Sequence, residues 1–328
     1  MSVACLAFTE KGYALAQRLA CALGGTADRS GQPLSLQQWT QTHFASERAL
    51  VYVGAAGIAV RAIAPYLHSK TTDPAVVVVD EGGQFVIPLL SGHLGGANDL
   101  ARHVARLLHA QAVITTATDV NEVFAVDEWA RCQHCAVLHP ENIRKVSGAL
   151  LAGRPVRIHT EVPVSGTVPA GIELAESAPW DVYVGLEPQP TSVLWLVPQN
   201  VILGVGCRKG ITDRALEKAL ASLDLPPQCI GAVASIDLKA REAGLLSFCR
   251  QHGWPLKIYS AAQLAQAKGN FTASDFVEKT TGVDNVCERA AVLASGGTLL
   301  RRKQAENGVT MAAALKPYQL DWRFHNVW

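Results

Sequence analysis

The stretch Pro88-Leu89-Leu90-Ser91-Gly92-His93-Leu94-Gly95-Gly96-Ala97-Asn98-Asp99-Leu100-Ala101-Arg102-His103 decides how the chain is to be understood. It begins as the end of an apolar strand, turns through three glycines and runs into a helix. Glycine lets a backbone approach a ligand closely and adopt positive φ. The free N–H groups at the start of the following helix favour anions. His93 places an imidazole in the turn, and Asp99 places a carboxylate in the first helical turn. Two readings follow. One is a reaction centre; the other is a plain strand–loop–helix joint with an Asx cap, which spacing alone favours.

Working outward, residues 1–127 alternate strand and helix signals. Strands are expected at Val3–Phe8, Ala49–Val53, Ala75–Asp80, Phe85–Leu90 and Ala112–Thr115. Helices are expected at Gly12–Leu23, from Gly57 to about Leu67, and from Asn98 to about His109. The four consecutive valines after Ala75 suit a strand buried on both faces. Gly82-Gly83 suits a hairpin turn. The pattern is that of an open, mostly parallel α/β sheet, where ligands bind beyond the carboxyl ends of strands. Gly54–Gly57 and Ser91–Gly96 both fall at such ends and are expected to face one site.

Residues 128–198 change character, with seven of the sixteen prolines between Pro155 and Pro198. Short strands at Val156–His159, Val182–Gly185 and Val193–Val197 suggest a small middle α/β domain with a linker around Glu187–Pro190. Residues 199–328 restart the α/β pattern as a separate C-terminal domain. Its expected strands are Asn200–Val205, Ile230–Ser235, Pro255–Tyr259 and Thr298–Arg301. Its expected helices are Thr212–Leu223, Arg241–Gln251 and Asp284–Ala294, the last stopped by Ser295-Gly296-Gly297.

The totals narrow the function classes. The net charge of +1 excludes a general polyelectrolyte, and 17% charged residues lies below the average of about 25%. So sparse a charge leaves room for a large ligand site or a homo-oligomer interface. The charge is uneven: residues 1–127 and 128–198 each carry −2, whereas 199–328 carry +5. The C-terminal domain is therefore the expected face for an acidic partner. No aromatic-interleaved basic stripe points to nucleic acid. No run approaches the roughly 18 apolar residues of a membrane span. Met1–Phe8 lacks a basic lead and is expected to be a first strand, not a signal peptide. The eight cysteines are scattered, as reduced thiols in a cytoplasmic protein would be. Cys132-Gln133-His134-Cys135 has the spacing of half a zinc site but lacks a second pair, so no metal site is expected.

Three further motifs carry polar groups. Gly204-Val205-Gly206-Cys207-Arg208-Lys209-Gly210 looks like a glycine-rich turn, yet it departs from both the Walker pattern and G-x-G-x-x-G. What remains is either a generic anion site with Arg208 and Lys209 or a tight turn with two solvated cations. Asp237, Lys239 and Glu242 form a polar cluster or a helix-entry segment with i,i+3 pairing. Asn285 with Glu288 suits a capping arrangement, which gives Glu288 a structural task.

Taken together, Gly54–Pro65, Leu90–Asp99, Gly204–Gly210, Ala234–Lys239 and Thr281–Arg289 resemble the cobalt-precorrin-5A hydrolase family (CbiG) of anaerobic cobalamin synthesis. The resemblance spans about residues 49 to 315, with the motifs in the family's order. It implies a cobalt-bearing, ring-contracted tetrapyrrole substrate with many carboxylates. It also implies a reaction that adds water, opens a δ-lactone and releases a two-carbon unit as acetaldehyde. Such chemistry needs a base, oxyanion donors and carboxylate clamps. No cofactor of the protein's own is implied, because the cobalt arrives within the substrate. On this footing His93 is assigned as general base or cobalt ligand, Asp99 as its orienting partner, and the Gly95 and Gly96 amides as oxyanion donors. Arg61, Arg208, Lys209 and Lys239 are the clamps, with Arg289 a weaker one. Gly57, Ser91 and Asn98 complete the substrate-binding set, in a cleft expected between the N- and C-terminal domains. Neighbouring pathway enzymes are the implied partners. The rival readings are a non-catalytic corrinoid carrier and a nucleotide-dependent α/β enzyme, the latter disfavoured by the failed phosphate-loop patterns.

Overall fold

The computed structural model describes residues 3–69 and 71–324; the first two residues and the expected C-terminal end at 325–328 lie outside them. The first unit comprises β1 (Val3–Ala7), α1 (Glu10–Leu23), β2 (Thr26–Arg29), α2 (Leu36–Ser46), β3 (Ala49–Val53), α3 (Ala56–Ile63), β4 (Ala75–Val79), β5 (Phe85–Leu90), α4 (Ala97–Leu108) and β6 (Gln111–Ala112). Its sheet has the order β2-β1-β3-β4-β5-β6. Every neighbouring pair is parallel except β4–β5. β1, β3 and β4 are buried along their whole length, as strands covered on both faces must be.

Local chemistry sets the ends of these elements. Thr9 caps α1 by accepting from the Gly12 amide at 3.0 Å, and Gly24 ends the helix in the left-handed region. Asp80 closes the β4–β5 hairpin by accepting from the Gly82 and Gln84 amides at 2.9 and 2.7 Å. That reversal sends the chain out of β5 into the Ser91–Gly96 turn, and α4 then packs back on β4 and β5. The expected strand at 112–115 shrinks to Gln111–Ala112, since only Phe85 and Val86 offer it a partner.

The middle unit follows through α5 (Ala117–Val120), α6 (Val126–Cys132), β7 (Cys135–Leu138), α7 (Ile143–Leu151), β8 (Val156–Thr160), β9 (Val164–Ser165), β10 (Ile172–Leu174), β11 (Val182–Val184) and β12 (Leu194–Pro198). Its sheet order is β10-β8-β11-β12-β7, with only β7 antiparallel to its neighbour. The expected linker at Glu187–Pro190 is instead a loop inside this sheet, because β12 continues the sheet beside β11. The passage to the third unit is the short step from Pro198 to Val201.

The third unit holds β13 (Val201–Cys207), α8 (Asp213–Ala221), β14 (Ile230–Ile236), α9 (Ala243–His252), β15 (Leu256–Tyr259), α10 (Ala261–Ala265), α11 (Asp275–Thr281), α12 (Cys287–Ser295), β16 (Thr298–Glu306) and β17 (Val309–Leu315). The sheet order is β15-β14-β13-β17-β16, parallel at one end and antiparallel at the other. After β17 the chain leaves this sheet. β18 (Leu320–Asp321) pairs with β9, and Trp322 stacks on Trp129 at 4.9 Å between ring centroids. Residues 320–322 thus pack with the middle unit and not with the expected C-terminal domain, and the Trp129 indole donates to the Asp321 carbonyl at 2.8 Å.

The presumed glycine turn at 204–210 is also corrected. Gly204 and Gly206 lie inside β13, and the turn proper is at Gly210, whose φ is +74°. α12 crosses β13 so closely that a Cβ on Gly204 would overlap the Cys287 carbonyl oxygen. Glycine serves helix-on-strand contact here. Gly204→Val is expected to destabilise the chain by about 3 kcal/mol, the upper range of core overpacking. Urea unfolding would show this as a lowered midpoint with unchanged m value.

Candidate functional site

Two places in the fold gather chemistry. The first surrounds His93. The turn from β5 to α4 delivers His93 against α5 and α6, where its Nδ1 meets Asp127 Oδ1 at 3.1 Å and its Nε2 meets Asp119 Oδ2 at 3.0 Å. Glu128 Oε2 lies 4.0 Å from the same Nε2. Arg102 pairs with Asp99 at 3.2 Å, with Glu128 at 3.6 Å and also with Asp119. Arg131 pairs with Asp99 and donates from Nε to the His93 carbonyl at 2.7 Å. Asn98 joins by donating to Thr116 Oγ1 and Asp119 Oδ2 at 3.0 and 3.1 Å.

The electrostatics follow from this crowding. Burial opposes a charge on His93, but hydrogen bonds to Asp119 and Asp127 and the field of Asp127 and Glu128 outweigh it, pushing its pKa up to about 10. Burial, then the field of Asp99, pushes Glu128 up to about 7. To act as the expected general base, His93 would first have to give up the proton that these carboxylates stabilise. Asp99 does not orient it: Asp99 belongs to Arg102 and Arg131, and Asp127 takes the orienting place. The Gly96 amide donates to the His93 carbonyl at 3.0 Å and so is occupied as an oxyanion donor.

The second place is a cavity of about 750 Å³ in the third unit, lined by residues between Gly206 and Thr310. Its apolar wall includes Ile236, Leu238, Phe276, Val277 and Val286. Arg208, Lys209, Lys239 and Lys303 supply cations around it. Lys239 is steadied by Glu242 at 3.6 Å, and Glu242 in turn accepts from the Gly210 amide at 2.9 Å. The Arg208 amide donates to the Gly308 carbonyl at 2.9 Å, which ties the end of β13 to the β16–β17 turn. Behind the wall, buried Glu288 accepts from the Thr272 amide, the Lys303 amide and Asn285 Nδ2 at 2.6, 2.7 and 3.0 Å. Asn285 Oδ1 accepts from the Glu288 amide at 2.8 Å, the cap foreseen from their spacing.

The family described as Cobalamin synthesis G N-terminal matches residues 38–119, and Cobalamin synthesis G C-terminus matches residues 201–314. The chain is 35% identical to the cobalt-precorrin-5A hydrolase of Salmonella typhimurium, covering 94% of this chain and 96% of that protein. The chain belongs to the cobalt-precorrin-5A hydrolase family. It is also 34% identical to the hydrolase of the same name from Priestia megaterium, over 84% of this chain and 80% of that one. A crystal structure of a cobalamin biosynthesis protein G homologue from Sulfolobus solfataricus covers 96% of this chain and 97% of its own at 23% identity, with a TM-score of 0.44.

The residues singled out for this family by sequence fall into separate groups. Arg208, Lys209 and Lys239 line the cavity. His93, Asn98 and Asp99 meet in the charged cluster. Ser91 donates to the Asp73 carbonyl at 3.0 Å, and Gly95 packs against Ser91. Arg61 folds back on its own helix to the Gly57 carbonyl at 3.1 Å. Arg289 is spent on Asp284 at 2.6 Å and stacks over Phe271. This cavity is lined by residues of the third unit alone, whereas the expectation was a cleft between the first and third units. Sequence reading missed Phe276, Lys303, Asp119, Asp127, Glu128 and Arg131. The last four sit on α5 and α6, whose short apolar patterns gave no helix signal. Among the described residues, no helix is long and apolar enough to cross a membrane.

Cys207 gives a direct probe of the cavity it lines. Burial, partly countered by Lys239, pushes its thiol up to about 11. Its alkylation by iodoacetamide is therefore expected to be slow at pH 7 and to rise about tenfold per pH unit towards 11. Peptide mass mapping would follow the label, and the exposed Cys21 serves as the readily labelled control.

Proposed function

We propose that this chain hydrolyses cobalt-precorrin-5A in anaerobic cobalamin biosynthesis, and that the third-unit cavity seats the macrocycle. The observation that carries the seat is the pairing of a large apolar wall with Arg208, Lys209, Lys239 and Lys303 around it. A ring-contracted tetrapyrrole offers the complement, a broad apolar ring bearing carboxylates on its edge. The volume of about 750 Å³ lies in the upper part of the range of roughly 300–1,000 Å³ typical of small-molecule sites. Guanidinium and ammonium groups bind carboxylates through charge-assisted hydrogen bonds, and a fixed set of them orients the ring. Water then adds at the lactone carbonyl and the ring oxygen leaves as a hydroxyl. That hydroxyl loses its proton to a base, and the carbon bearing it loses its bond to the macrocycle and departs as acetaldehyde, while the bonding electron pair stays on the macrocycle, which takes up a proton. The macrocycle with its cobalt takes up those electrons, so the protein supplies position and charge. The setting is the cytoplasm, where neighbouring pathway enzymes would deliver the substrate and take the product.

The test is acetaldehyde release from cobalt-precorrin-5A under anaerobic conditions, coupled to alcohol dehydrogenase. Wild-type protein is expected to release one acetaldehyde per substrate. Pigment that binds tightly without acetaldehyde would replace this reading with the carrier. Each charge-assisted contact contributes about 1.5–3 kcal/mol, so replacing both Arg208 and Lys209 by Ala should raise KM about tenfold or more. Because those contacts hold substrate and transition state alike, kcat should change little. An unchanged KM would remove these two cations from the site.

A further inference from the structure

We propose that His93, Asp119 and Glu128 form a site for one divalent transition-metal cation at the joint of α4, α5 and α6. His93 Nε2, Asp119 Oδ2 and a Glu128 oxygen all lie within 4.8 Å of one another. Two of the separations are 3.0 Å, from Nε2 to Asp119 Oδ2, and 4.0 Å, from Nε2 to Glu128 Oε2. Ligand atoms about 2.1 Å from a common ion stand between about 3 and 4.2 Å apart, so these spacings fit around one ion.

The surroundings are arranged for ligation. Asp127 Oδ1 meets His93 Nδ1 at 3.1 Å, which fixes the tautomer that presents Nε2. A carboxylate behind a ligating imidazole is the usual second layer of a metal centre. Arg102 takes the outer oxygens, Asp119 Oδ1 and Glu128 Oε1, and so leaves Oδ2 and Oε2 turned towards Nε2. Asn98, Thr116 and Thr118 add hydrogen bonds around the same point.

Two further observations point to a ligand. Among the described residues, Glu128 is only 7% exposed and its carboxylate receives no hydrogen bond; its charged neighbours are Arg102 at 3.6 Å and His93 at 4.0 Å, with the Asp99 and Asp119 carboxylates also close. A buried carboxylate without hydrogen bonds is costly. In addition, Arg102 and Arg131 are the guanidinium groups paired with the carboxylates of this cluster, which number four with Asp127. Without a metal ion a protonated His93 adds to these cations; a divalent ion takes the place of its Nε2 proton and, against four carboxylates and two guanidinium groups, meets two negative charges. One nitrogen with two carboxylate oxygens suits manganese, iron, cobalt or zinc in the divalent state.

The experiment uses the full chain, freed of metal by a chelator and dialysed, then titrated with Mn²⁺ while the spectrum of free aqueous Mn²⁺ is followed by electron paramagnetic resonance. Zn²⁺ is used as the competitor. One Mn²⁺ per chain, displaced by Zn²⁺, is expected. Asp119→Asn and Glu128→Gln should each weaken binding at least about tenfold, and Asp127→Asn about 10- to 100-fold through the second layer. Glu306→Gln, at the distant cavity, should bind as the wild type does. Circular dichroism identifies any variant that fails to fold, and Mn²⁺ should raise the melting temperature of wild type but not of Glu128→Gln. Folded wild type that binds neither ion, or binding that persists unchanged in all three cluster variants, would overturn the proposal. None of these readouts depends on turnover of the tetrapyrrole.

Discussion

The joint between the first and middle units rests on a buried exchange of charge. A lone buried ion costs several kcal/mol, and removing one member of a buried pair strands the other. Asp99 and Arg102 come from α4, Asp119 from α5, and Glu128 and Arg131 from α6. No one of these helices can withdraw without leaving uncompensated charge behind. Arg131 also grips the backbone at His93. The turn from β5 is therefore held from both sides: by Gly95 packed on Ser91 within the first unit, and by a guanidinium from the next.

The cavity in the third unit uses the opposite economy of charge. Its cations are partly or fully exposed and its wall is apolar, so each group stays hydrated until a ligand covers it. What must be rigid lies behind the wall. Glu288 ties the chain at Thr272 and the β16 backbone at Lys303 to α12 through a fully bonded carboxylate. α12 in turn lies directly on β13 because Gly204 has no side chain. By contrast α11, which brings Phe276 to the cavity, has no buried residue, and Phe276 is 78% exposed. A stiff floor with a lightly held flank allows a large planar ligand to enter.

How much of this was legible depended on the kind of signal. β1, β3 and β4 were plain because unbroken apolar runs buried on both faces have no other use. The same holds for β13 and β14. β2 was not legible: Thr26–Arg29 is a partly exposed edge strand without alternation. α5 and α6 are four and seven residues long, too short for a helical period to register. Their invisibility hid Asp119, Asp127 and Glu128, and with them the true company of His93. Spacing could show that His93 and Asp99 share a turn, but not that a guanidinium from α6 would take Asp99 away. Sequence also could not separate a glycine that bends the chain from one that admits a helix, and Gly204 was taken for the first kind.

The motifs nevertheless sort themselves once the fold is in hand. Gly206–Lys209, Ile236–Lys239 and Thr281–Cys287 are separated by tens of residues, yet members of all three stretches line one cavity. Strand ends in a parallel sheet converge on one edge, and β13 and β14 run parallel, so their carboxyl ends present Arg208, Lys209 and Lys239 together. The stretch from Leu90 to Asp99 is tied to a different task, since Ser91, His93, Asn98 and Asp99 all make their side-chain contacts within the first two units. Recurrence of five motifs in one order thus reflects two physical demands on one chain. One is an apolar hollow ringed by Arg208, Lys209, Lys239 and Lys303. The other is a charged knot in which Asp99, Asp119, Asp127 and Glu128 are held against His93, Arg102 and Arg131.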